Sequence, residues 1–130
     1  MKNIIFIISL IIFLLQIGCK QTTEPETPDI YVSFEIEYTF ENDSVNLSLD
    51  NNILLDSSIT TNFMLGLAWS SRLRKLSRNN HQLNFSVVEY GAQKDYTVGT
   101  SNDTSTVLLR FDKQTNQISI KQIKGRVYRY

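Results

Sequence analysis

From residue 31 the apolar positions recur at every second residue. In YVSFEIEYTF, Val32, Phe34, Ile36, Tyr38 and Phe40 alternate with Ser33, Glu35, Glu37 and Thr39, the period of a strand with one face in a core and the other in water. ENDS then supplies turn residues, VNLSL repeats the alternation with Val45, Leu47 and Leu49 inward, and DNN turns the chain again. ILLD and SITTNF read as two further strand runs. LNFSVVEY places Leu83, Phe85 and Val87 on one face, and TVLLRF does the same with Val107, Leu109 and Phe111. DKQTNQ is a polar turn into ISIKQI, so these last two runs predict a hairpin. Short strands with turns roughly every 8 to 12 residues predict an all-β fold, a single small antiparallel β-sandwich.

One stretch fits two periods. In NFMLGLAWSSRLRKL, Phe63, Leu65, Leu67 and Trp69 alternate as in a strand, while Leu65, Trp69, Leu73 and Leu76 also form a helical stripe. Gly66 weakens a helix by about 1 kcal/mol relative to Ala, and the surrounding runs have the strand period. Strand is therefore the expectation for residues 63–76. Under it Trp69 shares the parity of the inward residues and packs in the core.

A different pattern precedes residue 31. Lys2 supplies a positive start, Ile4 to Leu15 is apolar apart from Ser9, and Gly18 is a small residue beside a cleavage point, the order of an export signal. A hydrocarbon core of about 30 Å needs roughly 20 apolar helical residues to cross. Gln16 and Lys20 close this run too early, so residues 1–18 read as a cleaved signal peptide. The single cysteine, Cys19, follows directly, with no second cysteine to form a disulfide in an exported chain.

LLQIGC resembles the lipobox of bacterial lipoproteins, in which small residues precede a cysteine that receives a diacylglyceryl group and becomes the first mature residue. The resemblance implies cleavage after Gly18 and lipidation of Cys19; Gln16 stands where that family usually has Leu. It also implies a place in the bacterial cell envelope, with the membrane as partner through Cys19. Lys20 is not the aspartate of the best-known inner-membrane retention rule, so the resemblance favours the outer membrane. Each buried methylene contributes about 0.8 kcal/mol, so one acyl chain binds marginally and two or three hold the protein stably.

Residues 19–29 then form a tether. KQTTEPETPDI carries two prolines and three threonines, with no apolar residue before Ile30, and such a composition keeps the backbone extended and solvated. At about 3.1 Å per residue it reaches about 30 Å. The folded domain is expected over residues 30–130. Within it, RLRKLSRNNHQLNFSVVE is similar to a segment of immunoglobulin-like and fibronectin-like sandwiches, where an apolar residue, a polar turn and a His or Tyr lead into an alternating strand. Leu76, SRNN, His81 and QLNFSV carry that likeness. It implies a fold and no function, and the Cys and Trp hallmarks of antibody domains are absent, so jelly-roll and transthyretin-like variants stay open.

Composition narrows the chemistry. The 130 residues hold 42% hydrophobic residues, enough for one core, and thirteen basic residues balance thirteen acidic ones. With no net field, nucleic acid is not an expected partner. No G-x-S-x-G, phosphate loop, H-E-x-x-H or dinucleotide fingerprint occurs, and no cofactor or metal is expected. His81, the lone histidine, reads as a hydrogen-bonded corner residue. Glu35 and Glu37 lie roughly 6.5 Å apart on one strand face, a spacing within reach of a glycosidase pair, but a solvated face is the expectation. Asp43, Asp50, Asn51, Asn52, Asp56, Asn102 and Asp103 lie in or beside turns, where they read as turn residues rather than calcium ligands.

Aromatic side chains remain as contact candidates. Tyr31 has outward parity, Trp69 offers the largest ring, and the KGRVYRY tail adds Tyr128 and Tyr130; such faces bind sugar rings and partner proteins alike. No catalytic constellation accompanies them. The function expected is therefore that of a non-catalytic, membrane-anchored lipoprotein whose sandwich binds an envelope protein or supports the envelope. A glycan-binding module at the cell surface is the alternative.

Overall fold

The structure, a computed structural model, describes residues 28–126. Cys19, Gly18, Tyr128 and Tyr130 lie outside the described residues. The strands are β1 (Ile30–Glu37), β2 (Glu41–Leu49), β3 (Asn52–Thr60), β4 (Leu67–Ser70), β5 (Arg74–Leu76), β6 (His81–Val87), β7 (Ala92–Val98), β8 (Thr104–Asp112) and β9 (Gln117–Lys124), with one 3-10 turn at Val88–Tyr90. The first sheet runs β4-β1-β8-β9, with β5 also on β1, and the second runs β3-β2-β6-β7. The chain is a β-sandwich. Among the described strand pairs all are antiparallel except β1 with β8.

The inward parity read from the sequence is the parity of the core. Val32, Phe34 and Ile36 from β1 meet Val45 and Leu47 from β2, Leu83, Phe85 and Val87 from β6, and Val107 and Leu109 from β8, all essentially inaccessible to water. Removing this apolar surface from water at about 25 cal/mol per Å² is the main favourable contribution to the fold. The turns are equally local in origin. Asp50 and Asn51 both have positive φ, 49° and 65°, and join Leu49 to its partner Asn52 as a two-residue hairpin of the kind that favours Asp and Asn. The β8–β9 hairpin forms as expected.

The edge of the first sheet is built from two pieces. β4 pairs with Glu35 to Glu37, β5 pairs with Ile30 to Val32, and Ser71 bridges the gap. Its N–H donates to the Phe34 carbonyl at 2.8 Å, while its Oγ accepts the Phe34 N–H at 2.9 Å. Thr61 repeats the device at Phe40, donating its N–H at 2.8 Å and accepting the Phe40 N–H on Oγ1 at 3.0 Å. Both phenylalanines are fully buried, so each hydroxyl satisfies a backbone donor that water cannot reach.

Several expectations are corrected. The strand reading of residues 63–76 holds for Leu67–Ser70 and Arg74–Leu76 with no helix there, but Phe63 and Leu65 sit exposed in a turn. Trp69, opposite Ile36, is half-buried against the core as its parity implies. Tyr38 is exposed, because β1 ends at Glu37; Tyr38 and Thr39 take positive φ and carry the chain from one sheet to the other. ILLD and SIT belong to one strand, β3. Glu35 and Glu37 are buried, not a solvated face. The reason is lateral: β1 is an interior strand, and its outward side chains lie between those of its neighbours. Glu37 accepts from Arg110 Nε at 2.5 Å, and Ser33 bonds Thr106 across β8 at 3.0 Å.

Strand register gives the sandwich two ends. Ile30, Leu76, Thr104 and Lys124 close the first sheet at the end where the described chain begins, the tether end if residues 19–29 form the expected tether, and the Asp50–Asn51 turn, His81 and Val98 close the second sheet at the same end. The far end holds the crossing at Tyr38–Thr39, the 62–66 turn, the Val88–Tyr90 turn and the β8–β9 loop.

Candidate functional site

At the tether end the polar residues are locked to one another. His81 is nearly buried; its Nδ1 lies 2.6 Å from Asp50 Oδ2 and its Nε2 lies 3.0 Å from the Ser77 carbonyl. Both ring nitrogens thus face acceptors, and only the imidazolium can donate to both. Burial pulls the imidazole pKa down, but the Asp50 carboxylate and the Ser77 carbonyl together hold it above the ordinary histidine value. Asp50 is held below the usual carboxylate range by His81 and by the Gln82 N–H, which donates to its second oxygen at 2.9 Å. His81 is thus a hydrogen-bonded corner residue, pinning the β2–β3 turn to the β5–β6 loop. Arg78 makes a second lock. It donates to the Pro28 carbonyl at 2.7 Å, to the Thr100 carbonyl at 3.1 Å and to Asp103, and Lys75 pairs with Asp29 at 2.6 Å.

Beside this corner an open groove of about 650 Å³ crosses the outer face of the second sheet, lined by Ser48, Asp50, Asn51, Gln82, Asn84 and Asp95 around Leu83. Asn84 donates to Asp95 at 2.6 Å, and Gln82 donates to Thr97 at 3.1 Å. Hydroxyls, amides and carboxylates in this density suit a hydroxyl-rich ligand. None of the described lining residues is aromatic.

The far end has the opposite character. Asn62 accepts the Met64 N–H on its side chain at 3.0 Å, and its backbone pairs with Leu67 at 2.9 and 3.3 Å. This ordered turn lifts Phe63 and Met64 into water at 79% and 95% exposure. Gly66, at φ 62°, closes the turn beside the Tyr38 ring, and its left-handed backbone is what favours glycine there. Two hollows share Thr39 and Asp112 in their lining, about 280 Å³ beside Phe63 and about 360 Å³ beside Tyr38. Two cations pack among the rings: Arg110 lies 5.7 Å from the Tyr38 centroid, and Lys113 lies 5.7 Å from that of Tyr90 while pairing with Asp43 at 2.7 Å.

The candidate contact residues do not converge. Tyr31 is exposed near the tether end, opposite Lys75 and Thr104, whereas Trp69 packs inward farther along β1. Cys19, Gly18, Tyr128 and Tyr130 are outside the described residues. The turn carboxylates are also dispersed, with Asp50 and Asp103 at the tether end and Asp43 at the far end; no group of three or more His, Cys, Asp or Glu that could hold a metal ion occurs among the described residues. No helix among them is long and apolar enough to cross a membrane. Sequence reasoning missed the far-end surface because Phe63 shares the parity of Leu67. The available signal was FMLG, an apolar run that breaks the period of two before a glycine. No family model and no curated protein matches the chain.

Proposed function

We propose that this protein is a lipid-anchored lipoprotein of the bacterial envelope whose sandwich binds a partner protein and carries out no chemistry of its own. The observation that carries this reading is the position of Phe63 and Met64. Two large apolar side chains stand nearly fully exposed on a hydrogen-bonded turn, at the end of the domain opposite the tether. An exposed apolar group on rigid backbone loses little entropy when it docks, which is the property of an interface anchor. The envelope location rests on the signal-like run and the lipobox resemblance at Cys19.

Co-purification of the intact protein from envelope extract tests the reading. The double variant Phe63→Asp with Met64→Asp is expected to lose at least about tenfold of the retained partner, as removal of a central anchor does, while its melting temperature stays near that of the parent. Undiminished capture by the variant would contradict the proposal. The polar groove favours a second reading, a glycan-binding module. Polysaccharide binding that survives Phe63→Asp and is lost on Asn84→Ala would establish that reading instead.

A further inference from the structure

The chain is neutral overall, yet its strand register sorts the charges by end. At the tether end Arg74 stands opposite Val32, and Lys124 stands opposite Ser105, which is itself opposite Val32. The two cations therefore flank one four-residue row, roughly 14 Å apart at the usual strand spacing. Arg126 follows just beyond Lys124. All three are exposed, and none has an ion pair among the described residues. Among the described residues the acids at this end are paired: Asp29 with Lys75, Asp103 with Arg78 and Asp50 with His81; Glu24 and Glu26 precede Pro28 in the sequence and lie outside the described residues. At the far end the balance reverses, with Glu37, Glu41, Asp43, Glu89 and Asp112 set against Lys94, Arg110 and Lys113.

We infer that the tether end is a seat for an anionic lipid surface, with Arg74, Lys124 and Arg126 as its contacts. This rests on the reading of Cys19 as the anchor, because the anchor brings the domain within range of lipid. Two further observations favour lipid as the occupant. The chain leaves this same end, and Arg78 fixes its exit by holding the Pro28 carbonyl at 2.7 Å. Charge attraction decays within a Debye length of about 8 Å at physiological salt, so a tether reaching about 30 Å alone leaves the domain outside that range for much of the time. Each cation near an anionic surface multiplies the seated population roughly fivefold. Once seated, the eight residues of β1 at about 3.3 Å each raise the far end about 26 Å above the lipid. The apolar turn is then presented at a set height and direction.

The test uses the intact protein in vesicles of phosphatidylcholine alone or mixed with phosphatidylglycerol, with a headgroup-attached quencher. A fluorescent amino acid replaces Asn79 at the tether end or Gln114 at the far end, both exposed. The expected result is at least about twofold stronger quenching at position 79 on the anionic vesicles than on neutral ones, with position 114 unquenched on both. Salt at about 1 M, where the Debye length is about 3 Å, and the triple variant R74Q/K124Q/R126Q should each remove the difference. Equal quenching at position 79 on the two vesicle types, with the protein retained by both, would overturn the seat and leave the anchor standing. Binding only to anionic vesicles, with position 79 quenched, would support the seat and count against the anchor.

Discussion

Phe34 and Phe85 come from different sheets and are both fully buried. Truncating either to Ala is expected to cost about 3 to 5 kcal/mol, from lost transfer energy plus the cavity left behind, as read by urea denaturation. His81 acts on stability through pH. Its pKa is raised on folding, so its contribution is complete below the unfolded value of 6.5 and is lost as pH rises through the higher folded value. Asp50, whose pKa is lowered, contributes above its unfolded value of 3.8 and loses that contribution as pH falls through the folded one. The pair therefore stabilises the domain between those limits. The melting temperature should decline above about pH 6.5, and His81→Gln should flatten that decline; a parent protein whose melting temperature is level across this range would refute the assignment.

The strand faces of the core were legible at the scale of the element. Val32, Phe34 and Ile36, Val45, Leu47 and Leu49, and Leu83, Phe85 and Val87 all point where their parity says, because side-chain direction along a strand is a local property. Where a ladder stops is not local. Parity extended β1 to Tyr38 and assigned Phe63 inward, but two left-handed residues end the first, and an Asn62 turn diverts the second. Neighbours are not local either, so the parallel β1–β8 pair and the burial of Glu37 were beyond reach. The groove has the same origin, since Ser48, Asn84 and Asp95 meet only through the order β2-β6-β7. The twin hydroxyl bridges supply a test at this scale. Thr61→Val and Ser71→Ala each leave the N–H of a buried phenylalanine without its acceptor, and each should cost about 1 to 3 kcal/mol. A loss below about 0.5 kcal/mol at both sites would show that other acceptors replace the hydroxyls.

Across the whole molecule the proposed lipid site, a short polar tether, a basic near end and exposed apolar side chains at the far end make one object with a direction. The lipid site has its own check. Mass spectrometry of the protein purified from membranes should find Cys19 as a diacylated first residue, and a retained Met1 or an unmodified thiol would remove the anchor from the account. In the proposed function the far end makes the contact, and site-specific photo-crosslinking in intact cells reads that contact residue by residue. With a photoreactive amino acid at Met64 or, as a control in the groove, at Asn84, one discrete protein adduct is expected from position 64 and none from position 84. A protein adduct from position 84 with none from position 64 would contradict it.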